Sequence, residues 1–379
     1  MNILFICGSL EYGKDGVGDY TRRLASQLTK MGHFCHIVAL MDKHISEKLT
    51  EEQLEDNSII NSLRLPFNDG NKGNTILVKN YIQKFNPDLI SLQFVPFSYD
   101  SKGLPFWIVD SMLTLTQHRV FHIMFHELWV GMEDGTSKKH FFWGLLQKRI
   151  IFNLKKCTKP LTIHTQTNLY KYQLEKIGCK VNLLPLFSNI KEANHERLTS
   201  KNTLLNSIIC KKQLTCIIFG EIHFGAPVET FSNEILIFSK KNKLFVTLLL
   251  LGKNGSEAKV WSTAFSTNNF NVRTLGWQSE ESISQFLLCS DFGITTTPYI
   301  LVEKSGTVAA MHSLGIPVMC VARQWQAKIK KTIPNPLYVS EYKKGDFQDW
   351  LNRTNVRNPD SREFRSIQNI AQQFIKDVT

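Results

Sequence analysis

One stretch near the carboxyl end of the sequence joins an acidic residue to a helix start. In PYILVEKSGTVAAM, Glu303 and Lys304 follow an apolar run that is typical of a buried strand. Ser305, Gly306 and Thr307 then stand where a helical pattern begins. The first N–H groups of a helix have no partner within it and carry the positive end of its dipole, so they bind anions. A carboxylate beside them accepts hydrogen bonds from hydroxyl groups, and the arrangement therefore fits a ligand with both phosphate and sugar groups.

The same residues also have a simpler interpretation. Serine and threonine are preferred at helix starts, so Ser305 and Thr307 are compatible with a plain helix cap. A glutamate in a loop is usually solvated, and Glu303 fits that description as well. Because capping and phosphate binding use the same N–H groups, the sequence leaves both interpretations open.

A second candidate pair ends the apolar run RVFHIMFHE. His126 and Glu127 come last in this run, where a strand would reach the edge of its sheet. A neutral imidazole both donates and accepts a hydrogen bond, and Glu127 can orient it or reach an acceptor substrate. A strand histidine whose ring is satisfied by backbone groups is the commoner case, and we expect His122 in the same strand to be of that kind.

A third candidate is the loop GKDGVGDYTRRL, which follows the apolar run NILFIC. Gly16, Val17, Gly18 and Asp19 lie where a helical pattern begins. The spacing differs from the dinucleotide fingerprint because the third glycine is missing, and we expect no acidic residue to end the second strand, predicted over 33–40. The glycines therefore either turn the chain or let a ligand approach the backbone.

Two series of alternating strand-like and helix-like segments must position these residues. Apolar runs of the first half lie at 2–7, 33–40, 62–67, 88–95, 119–127, 161–165 and 181–186. A polar interval at 189–207 interrupts the pattern, and a second series starts at 215. The runs are continuously apolar, which is typical of parallel strands covered by helices on both faces.

The sequence therefore predicts an α/β protein with two Rossmann-like, doubly wound domains that face a cleft. We predict the first domain over 1–190 and the second over 208–345. A helical tail over 346–379 is expected to pack back across the domain junction. Ligand-binding loops should lie at the carboxyl ends of the strands.

Length and composition exclude several classes of protein. With 379 residues, 42% of them hydrophobic and 21% charged, the chain is long enough for two folded domains. Its eight cysteines show no CxxC pair and no metal-ligand spacing, which indicates reduced thiols in a cytoplasmic protein. No apolar run reaches the roughly 20 residues of a membrane span, and the N-terminus resembles a first strand, not a signal peptide.

The net charge of +12 favours an acidic partner. A phosphorylated substrate and an anionic surface on the inner face of a membrane both remain open on this ground. Nucleic acid is disfavoured because the lysines are spread along the chain and no nucleic-acid-binding motif accompanies them.

Several motifs, in order along the chain, resemble the retaining glycosyltransferase family 4, which has the GT-B fold. The acidic loop with Glu303, followed by Gly-Ile-Pro-Val at 315–318, is the most specific of them. LLLLGKNG looks like the family's strand that ends in a glycine motif, and FNVRTLGWQSEESISQFLLCSDFGITTTP looks like its strand, helix and Asp-strand-Pro run. The opening glycine loop and the His126–Glu127 pair match positions of its first domain. The resemblance covers nearly the whole chain.

The resemblance implies transfer of a hexose from a nucleotide sugar to an acceptor hydroxyl, with retention of the anomeric configuration and without a metal. It places Glu303 and His126 at the donor sugar as the catalytic residues, and it lets the opening glycines approach the donor's diphosphate. On the acceptor side it places Asp19 and Glu127. The implied donor-binding residues are Gly16, Val17, Gly18, Gly220, Lys253, Lys304, Ser305, Gly306 and Thr307. No cofactor is implied besides the nucleotide sugar as co-substrate; its base, and whether the acceptor is a glycan, a lipid or a small molecule, stay open.

The sequence departs from the family pattern at two places. The second glutamate, which commonly binds the ribose, is replaced by Ala310 or Met311. The Arg and Lys that grip the diphosphate are absent from the loop at 220–229, where Glu221 and Ala226 stand instead. Other candidates for the missing positive charge are Lys304, Lys253 and Arg273.

These departures keep two alternatives open. One is a pseudo-glycosyltransferase or an inactive GT-B partner subunit. The other is a module without catalytic activity that binds a nucleotide, or a membrane surface through its positive charge.

Overall fold

The computed structural model describes residues 1–67, 71–157, 160–191, 212–329, 331–354 and 366–379. The chain forms two compact units, each with its own sheet. The first comprises Met1–Pro185, Gln326–Ile333 and Ile367–Thr379, and the second comprises Leu186–Trp325 and Pro334–Ser366. The predicted start of the second domain, residue 208, lies outside the described residues.

An eight-stranded sheet forms the first unit. Its strands are β1 (Asn2–Cys7), β2 (Phe34–Asp42), β3 (Leu49–Glu55), β4 (Ser58–Pro66), β5 (Leu89–Phe94), β6 (Val120–Phe125), β7 (Leu161–Thr165) and β8 (Asn182–Leu183). They lie in the order β3-β4-β2-β1-β5-β6-β7-β8, and every pair is parallel except β3 and β4. The central strands β1, β5 and β6 are almost wholly buried, as their continuous apolar runs predict.

Amphipathic helices connect these strands. Between β1 and β8 they are α1 (Gly16–Lys30), α2 (Asn71–Phe85), α3 (Pro96–Tyr99), α4 (Trp107–Leu115), α5 (Lys138–Leu154) and α6 (Asn168–Lys176). Among the described residues, the side chains of Asp15, Ser137 and Thr167 cap α1, α5 and α6, because each accepts a hydrogen bond from an amide of the first turn.

The antiparallel hairpin of β3 and β4 is the part of this sheet that the apolar pattern does not predict. The strand expected over 62–67 is only the second half of β4. Asp56 and Asn57 form the turn with φ of 50° and 64°, the left-handed values that a two-residue hairpin turn needs. β3 reads LTEEQLE, which contains too few apolar residues to be recognised as a strand.

A six-stranded, fully parallel sheet forms the second unit. Its strands are β9 (Gln213–Phe219), β10 (Phe245–Leu251), β11 (Asn271–Gly276), β12 (Phe292–Thr295), β13 (Val318–Cys320) and β14 (Val339–Glu341), in the order β11-β10-β9-β12-β13-β14. The helices are α7 (Val228–Asn242), α8 (Ala258–Thr267), α9 (Glu280–Leu288), α10 (Gly306–Ser313) and α11 (Phe347–Thr354), with a 3-10 helix, Tyr299–Lys304, before α10. Ile218 and Ile217 of β9 lie in different core clusters, so this sheet is buried on both faces.

The last helix, α12 (Ile367–Val378), belongs to the first unit. Its Phe374 ring lies 6.0 Å from the ring of Phe5 and 4.9 Å from that of His122, centre to centre. None of the helices in the described part of the chain is long and apolar enough to span a membrane.

Candidate active site

Both sheets reverse their strand order beside their first strand. β1 lies between β2 and β5, and β9 lies between β10 and β12. Ligands of open parallel sheets bind outside the carboxyl ends of the strands at such a switch point. Gly16–Gly18 begin α1 after the loop that follows β1, and Gly220 directly follows β9, so the glycines singled out in the sequence lie at these two switch points.

The glycine loop after β1 is closed by its own aspartate. Asp15 Oδ1 accepts hydrogen bonds from the amides of Val17 and Gly18 at 2.9 and 2.8 Å. These amides are among the groups that the resemblance assigns to a donor diphosphate. Asp19, assigned to the acceptor side, accepts a hydrogen bond from Arg22 Nη1 at 2.8 Å. A phosphate at this helix start would have to displace the carboxylate of Asp15.

Gly18 lets α1 pack closely against the loop that precedes it. A Cβ at Gly18 would lie 2.4 Å from the carbonyl oxygen of Ser9, whereas a Cβ at Gly16 would meet nothing within 4 Å. We expect Gly18→Ala to lower the free energy of unfolding by about 2 kcal/mol, because backbone must shift to admit the methyl group. Gly16→Ala is the matched control and should be neutral or slightly stabilising. Urea denaturation compares them, and equal stability would refute the packing role of Gly18.

An acidic residue does end the second strand, contrary to our expectation from the sequence. β2 extends to Asp42, which is fully buried. Its Oδ2 accepts hydrogen bonds from the amide of Leu10 at 3.1 Å and from Arg64 Nε at 2.8 Å. Burial acts to raise the pKa of Asp42, but these bonds, above all that from Arg64, lower it below its ordinary value. Asp42 therefore holds the loop after β1 in place.

His126 lies directly after β6 and is clamped by two glutamines. Its Nε2 is 2.9 Å from Gln93 Oε1, and its Nδ1 is 2.7 Å from Gln166 Nε2. With the two amides oriented in this way, the ring is neutral and carries its proton on Nε2. Burial lowers the pKa of His126 to about 3, so the ring is too weak a base to take a proton near neutral pH. Gln93 is the second-to-last residue of β5 and Gln166 follows β7, so three neighbouring strands build this cluster.

Glu127 and His122 flank this cluster. Glu127 is half-buried, and its amide lies 3.5 Å from the carbonyl oxygen of Phe94. His122 is buried within β6, where side chains of Ser91 and His164 contact its two nitrogens at 2.8 and 2.9 Å. Side chains, and not the backbone groups that we expected from the sequence, therefore satisfy both nitrogens of His122.

The start of α10 in the second unit is open, unlike the start of α1. Ser305 Oγ caps it loosely, lying 3.4 Å from the amide of Val308 and 3.0 Å from Thr307 Oγ1. Within the described part of the chain, no hydrogen bond from the amides of Gly306 and Thr307 is found. Gly306 is exposed, and a Cβ there would meet nothing within 4 Å. These two N–H groups are therefore available to an anion.

Glu303 and Gly220 lie next to this helix start. Glu303 is buried in the 3-10 helix before α10 and is 9% exposed. A Cβ at Gly220 would lie 2.8 Å from Thr307 Cγ2, so only glycine lets the loop after β9 come this close. Asn254 holds the loop, because its Nδ2 donates to the carbonyl oxygen of Gly220 at 2.7 Å. Lys253 is exposed in the loop that follows β10.

The loop after β9 meets a cation that the sequence motif does not contain. Arg323 follows β13, and a Cβ at Gly225 would lie 3.3 Å from Arg323 Cβ. Its guanidinium carbon is 5.2 Å from the centre of the Phe224 ring. Arg323 also lines a cavity of about 620 Å³ together with Tyr299 and Lys343. Since about a hundred residues separate Arg323 from the loop in sequence, only the neighbouring order of β9, β12 and β13 brings them together.

Lys304 and Arg323 both act electrostatically on another residue of this loop, His223. Burial lowers the pKa of His223 in the same loop, and the charges of Lys304 and Arg323 lower it further against the opposite effect of Glu221. Both cations therefore lie near the His223 ring. Among the described residues, no three His, Cys, Asp or Glu side chains converge as a metal ion would require.

The position of the family's second glutamate lies in the core. Ala310 and Met311 of α10 are completely buried. A Cβ at Gly293 of β12 would lie 2.1 Å from Met311 Sδ, so this side chain covers the strand. Neither residue offers a ribose contact.

Comparisons with known proteins agree with this architecture. No family model and no curated protein sequence matches the chain. HepE of Anabaena, in complex with UDP and glucose, matches it with 14% identity and a TM-score of 0.53, over 100% of this chain and 96% of HepE. A glycosyltransferase from Rickettsia africae matches with 12% identity and a TM-score of 0.58, over 100% and 97% of the two chains. The lipopolysaccharide outer core galactosyltransferase WaaB matches with the same identity and TM-score, over 100% and 99%. The chain therefore has the α/β fold of the GT-B glycosyltransferases, as its sequence predicts.

Proposed function

We propose that the protein transfers a sugar from a nucleotide-sugar donor to an acceptor hydroxyl, with retention and without a metal. The observation that carries the proposal is the cluster at the open start of α10. One edge of the second sheet carries three kinds of group. They are the free N–H groups of Gly306 and Thr307, the buried carboxylate of Glu303, and the cations Lys304 and Arg323. A diphosphate and a ring of hydroxyls are the groups that such a set binds.

The chemistry follows from that binding mode. The bond between the anomeric carbon and the diphosphate oxygen breaks, and a bond from the acceptor oxygen to the same face of that carbon forms. The acceptor proton passes to the leaving diphosphate oxygen. The protein contributes by positioning the reactants and stabilising the negative charge that develops on the leaving group.

His126 takes part in this proposal as a neutral hydrogen-bonding group at the donor sugar. Because its pKa is low, His126 is too weak a base to accept a proton from a substrate, but its neutral imidazole can still orient a hydroxyl by hydrogen bonding. Glu303 accepts hydrogen bonds from the sugar hydroxyls, and Asp19 and Glu127 remain proposed on the acceptor side.

Independence from a metal rests on the charges of the site itself. Arg323, Lys304 and the α10 dipole supply positive charge of the kind that a divalent cation otherwise brings to a diphosphate. The uridine nucleotide bound to HepE makes uridine the first base to test.

Donor binding and turnover test the proposal together. Titration calorimetry against a panel of nucleotide sugars, with a chelator present, should find a donor that binds. With that donor, Glu303→Gln should lower kcat by about tenfold or more, because the neutral amide is a poorer partner for hydroxyls that the transition state must orient. Glu281→Gln, on the exposed face of α9, is the matched control and should leave kcat unchanged.

The outcomes separate the alternatives. Binding without transfer to any glycan, lipid or small-molecule acceptor would favour a pseudo-glycosyltransferase. That alternative is suggested by the missing second glutamate, where Ala310 or Met311 stands, and by the missing Arg and Lys of the loop at 220–229. Absence of binding by the whole panel would reject the donor site as proposed.

A further inference from the structure

A chain of hydrogen-bonded side chains runs through the core of the first unit from His126 to the last helix. We call it the polar relay. Every member is at least three-quarters buried, and each contacts the next within 2.9 Å. In order, its members are His126, Gln93, Ser91, His122, His164 and Asp377.

The half of the polar relay nearest the candidate site lies on β5 and β6. His126 Nε2 lies 2.9 Å from Gln93 Oε1, and Gln93 Nε2 donates to Ser91 Oγ at 2.8 Å. Ser91 Oγ then lies 2.8 Å from His122 Nδ1. Ser91 accepts from Gln93 and still has its own proton to donate to His122.

The other half crosses to the last helix. His122 Nε2 lies 2.9 Å from His164 Nδ1 on β7, and His164 Nε2 lies 2.9 Å from Asp377 Oδ2 on α12. Burial acts to raise the pKa of Asp377, but hydrogen bonds from Gln373 and His164 lower it, so this side chain is a carboxylate near neutral pH. A carboxylate can only accept hydrogen bonds, and every donor in the polar relay must therefore point toward Asp377.

This direction fixes the protons on all three histidines. Each carries its proton on Nε2. An additional proton on His164 Nδ1 would face the N–H of His122, and one on His122 Nδ1 would face the hydroxyl proton of Ser91. Burial lowers the pKa of both rings, which agrees with their neutrality. In the reverse direction both glutamines would be turned over and His126 would carry its proton on Nδ1. The amide groups alone allow either direction, so the charge at the end decides.

We infer that Asp377 is a positioning residue for His126, which it holds, through the polar relay, in the tautomer that presents Nδ1 as a hydrogen-bond acceptor. In this structure Gln166 Nε2 donates the hydrogen bond that Nδ1 accepts. Its Oε1 is buried and has no hydrogen-bond partner among the described residues, which makes Gln166 a weakly held partner that a ligand group can replace. The group that replaces it must donate a hydrogen bond, as a sugar hydroxyl does. The replacement of Gln166 by a sugar hydroxyl rests on the proposed function, whereas the assignment of the tautomer does not.

Nitrogen NMR of the full chain, labelled with ¹⁵N at histidine, tests the tautomer directly. In the wild type, His126 should show a single tautomer with the proton on Nε2. Asp377→Ala should convert it to a mixture of both tautomers, although the two residues are connected only through five successive hydrogen bonds. Gln373→Ala is the matched control: it removes the 2.8 Å bond to the other oxygen, Asp377 Oδ1, and should leave the single tautomer unchanged.

Ser91→Ala provides a second break within the polar relay should the loss of Asp377 unfold α12. It removes one oxygen from the middle of β5 and should produce the same mixture at His126. An unchanged tautomer in both variants would overturn the inference. With an identified donor, both variants should also weaken binding of the nucleotide sugar several-fold while leaving the affinity of the free nucleoside diphosphate unchanged. A changed tautomer without this loss would count against the sugar contact of His126 and leave the polar relay standing.

Discussion

Acidification from about pH 6.5 to about pH 4 should lower the free energy of unfolding by roughly 3 kcal/mol through His126 alone. The pKa of His126 is about 3 in the folded protein, far below the ordinary value of 6.5. Above pH 6.5 neither the folded nor the unfolded state binds a proton at this ring, so its contribution to stability is complete. Between the two pKa values only the unfolded state is protonated, and stability is lost as the pH falls.

His122 and His164 act in the same direction, because burial lowers the pKa of each ring as well. Burial raises the pKa of Asp15, so this carboxyl has the opposite effect on the free energy of unfolding over part of the pH range. The three histidines should outweigh it. They belong to one hydrogen-bonded chain, so protonation of any one of them also breaks its neighbours' bonds.

Urea denaturation at a series of pH values measures this effect. His126→Asn keeps a neutral side chain that can bond to both glutamines, and it should flatten the dependence on pH. His140→Asn, an exposed residue at the start of α5, is the control and should retain the wild-type slope. If the slope of His126→Asn equalled that of the wild type, the histidine would not be held neutral in the folded protein.

The sequence predicts the two parallel sheets because each β-strand is a continuous apolar run. NILFIC and FVTLLLL are buried along nearly their whole length, and this local property needs no knowledge of partners. β3 escapes prediction because its pairing with β4 depends on the Asp56–Asn57 turn rather than on apolar content.

Pairs of charged residues that are distant in sequence are harder to predict. Asp42 interrupts an apolar run, so the pattern predicts that β2 ends before it. Arg64 on the neighbouring strand compensates its charge and keeps it inside the sheet. The polar relay has the same origin, since nothing local in the sequence joins His164 to Asp377, which stand more than two hundred residues apart.

The glycine loops show a third limit of prediction from sequence. GKDGVGDY and VEKSGTVA both predict a helix start with free amides. In the first loop, Asp15 occupies those amides, whereas Ser305 leaves the amides of Gly306 and Thr307 open in the second. A cap and an anion use the same N–H groups, so side-chain conformation alone separates the two cases.

Arg323→Ala should weaken binding of a nucleotide sugar by roughly ten- to a hundredfold, the range expected for one charge-assisted contact with a diphosphate. The loop after β9 lacks the basic pair of the resembling family, and Arg323 is the cation that packs against this loop at Gly225 and Phe224. Lys304 is the other cation near His223, so loss of Arg323 removes a large part of the local positive charge.

Three comparisons make this prediction specific to the diphosphate. A nucleoside diphosphate should lose as much affinity as the nucleotide sugar, whereas a nucleoside without phosphate should lose none. Arg323→Lys keeps the charge but not the planar fork of donors and should recover only part of the affinity. Arg353→Ala, on α11 of the same unit, removes the same charge from a side chain that bonds to the carbonyl oxygen of Asp349, and it should bind like the wild type. Both substitutions change the net charge by the same amount. Equal losses of affinity in Arg323→Ala and Arg353→Ala would therefore mean that the net charge, and not a contact from Arg323, attracts the donor.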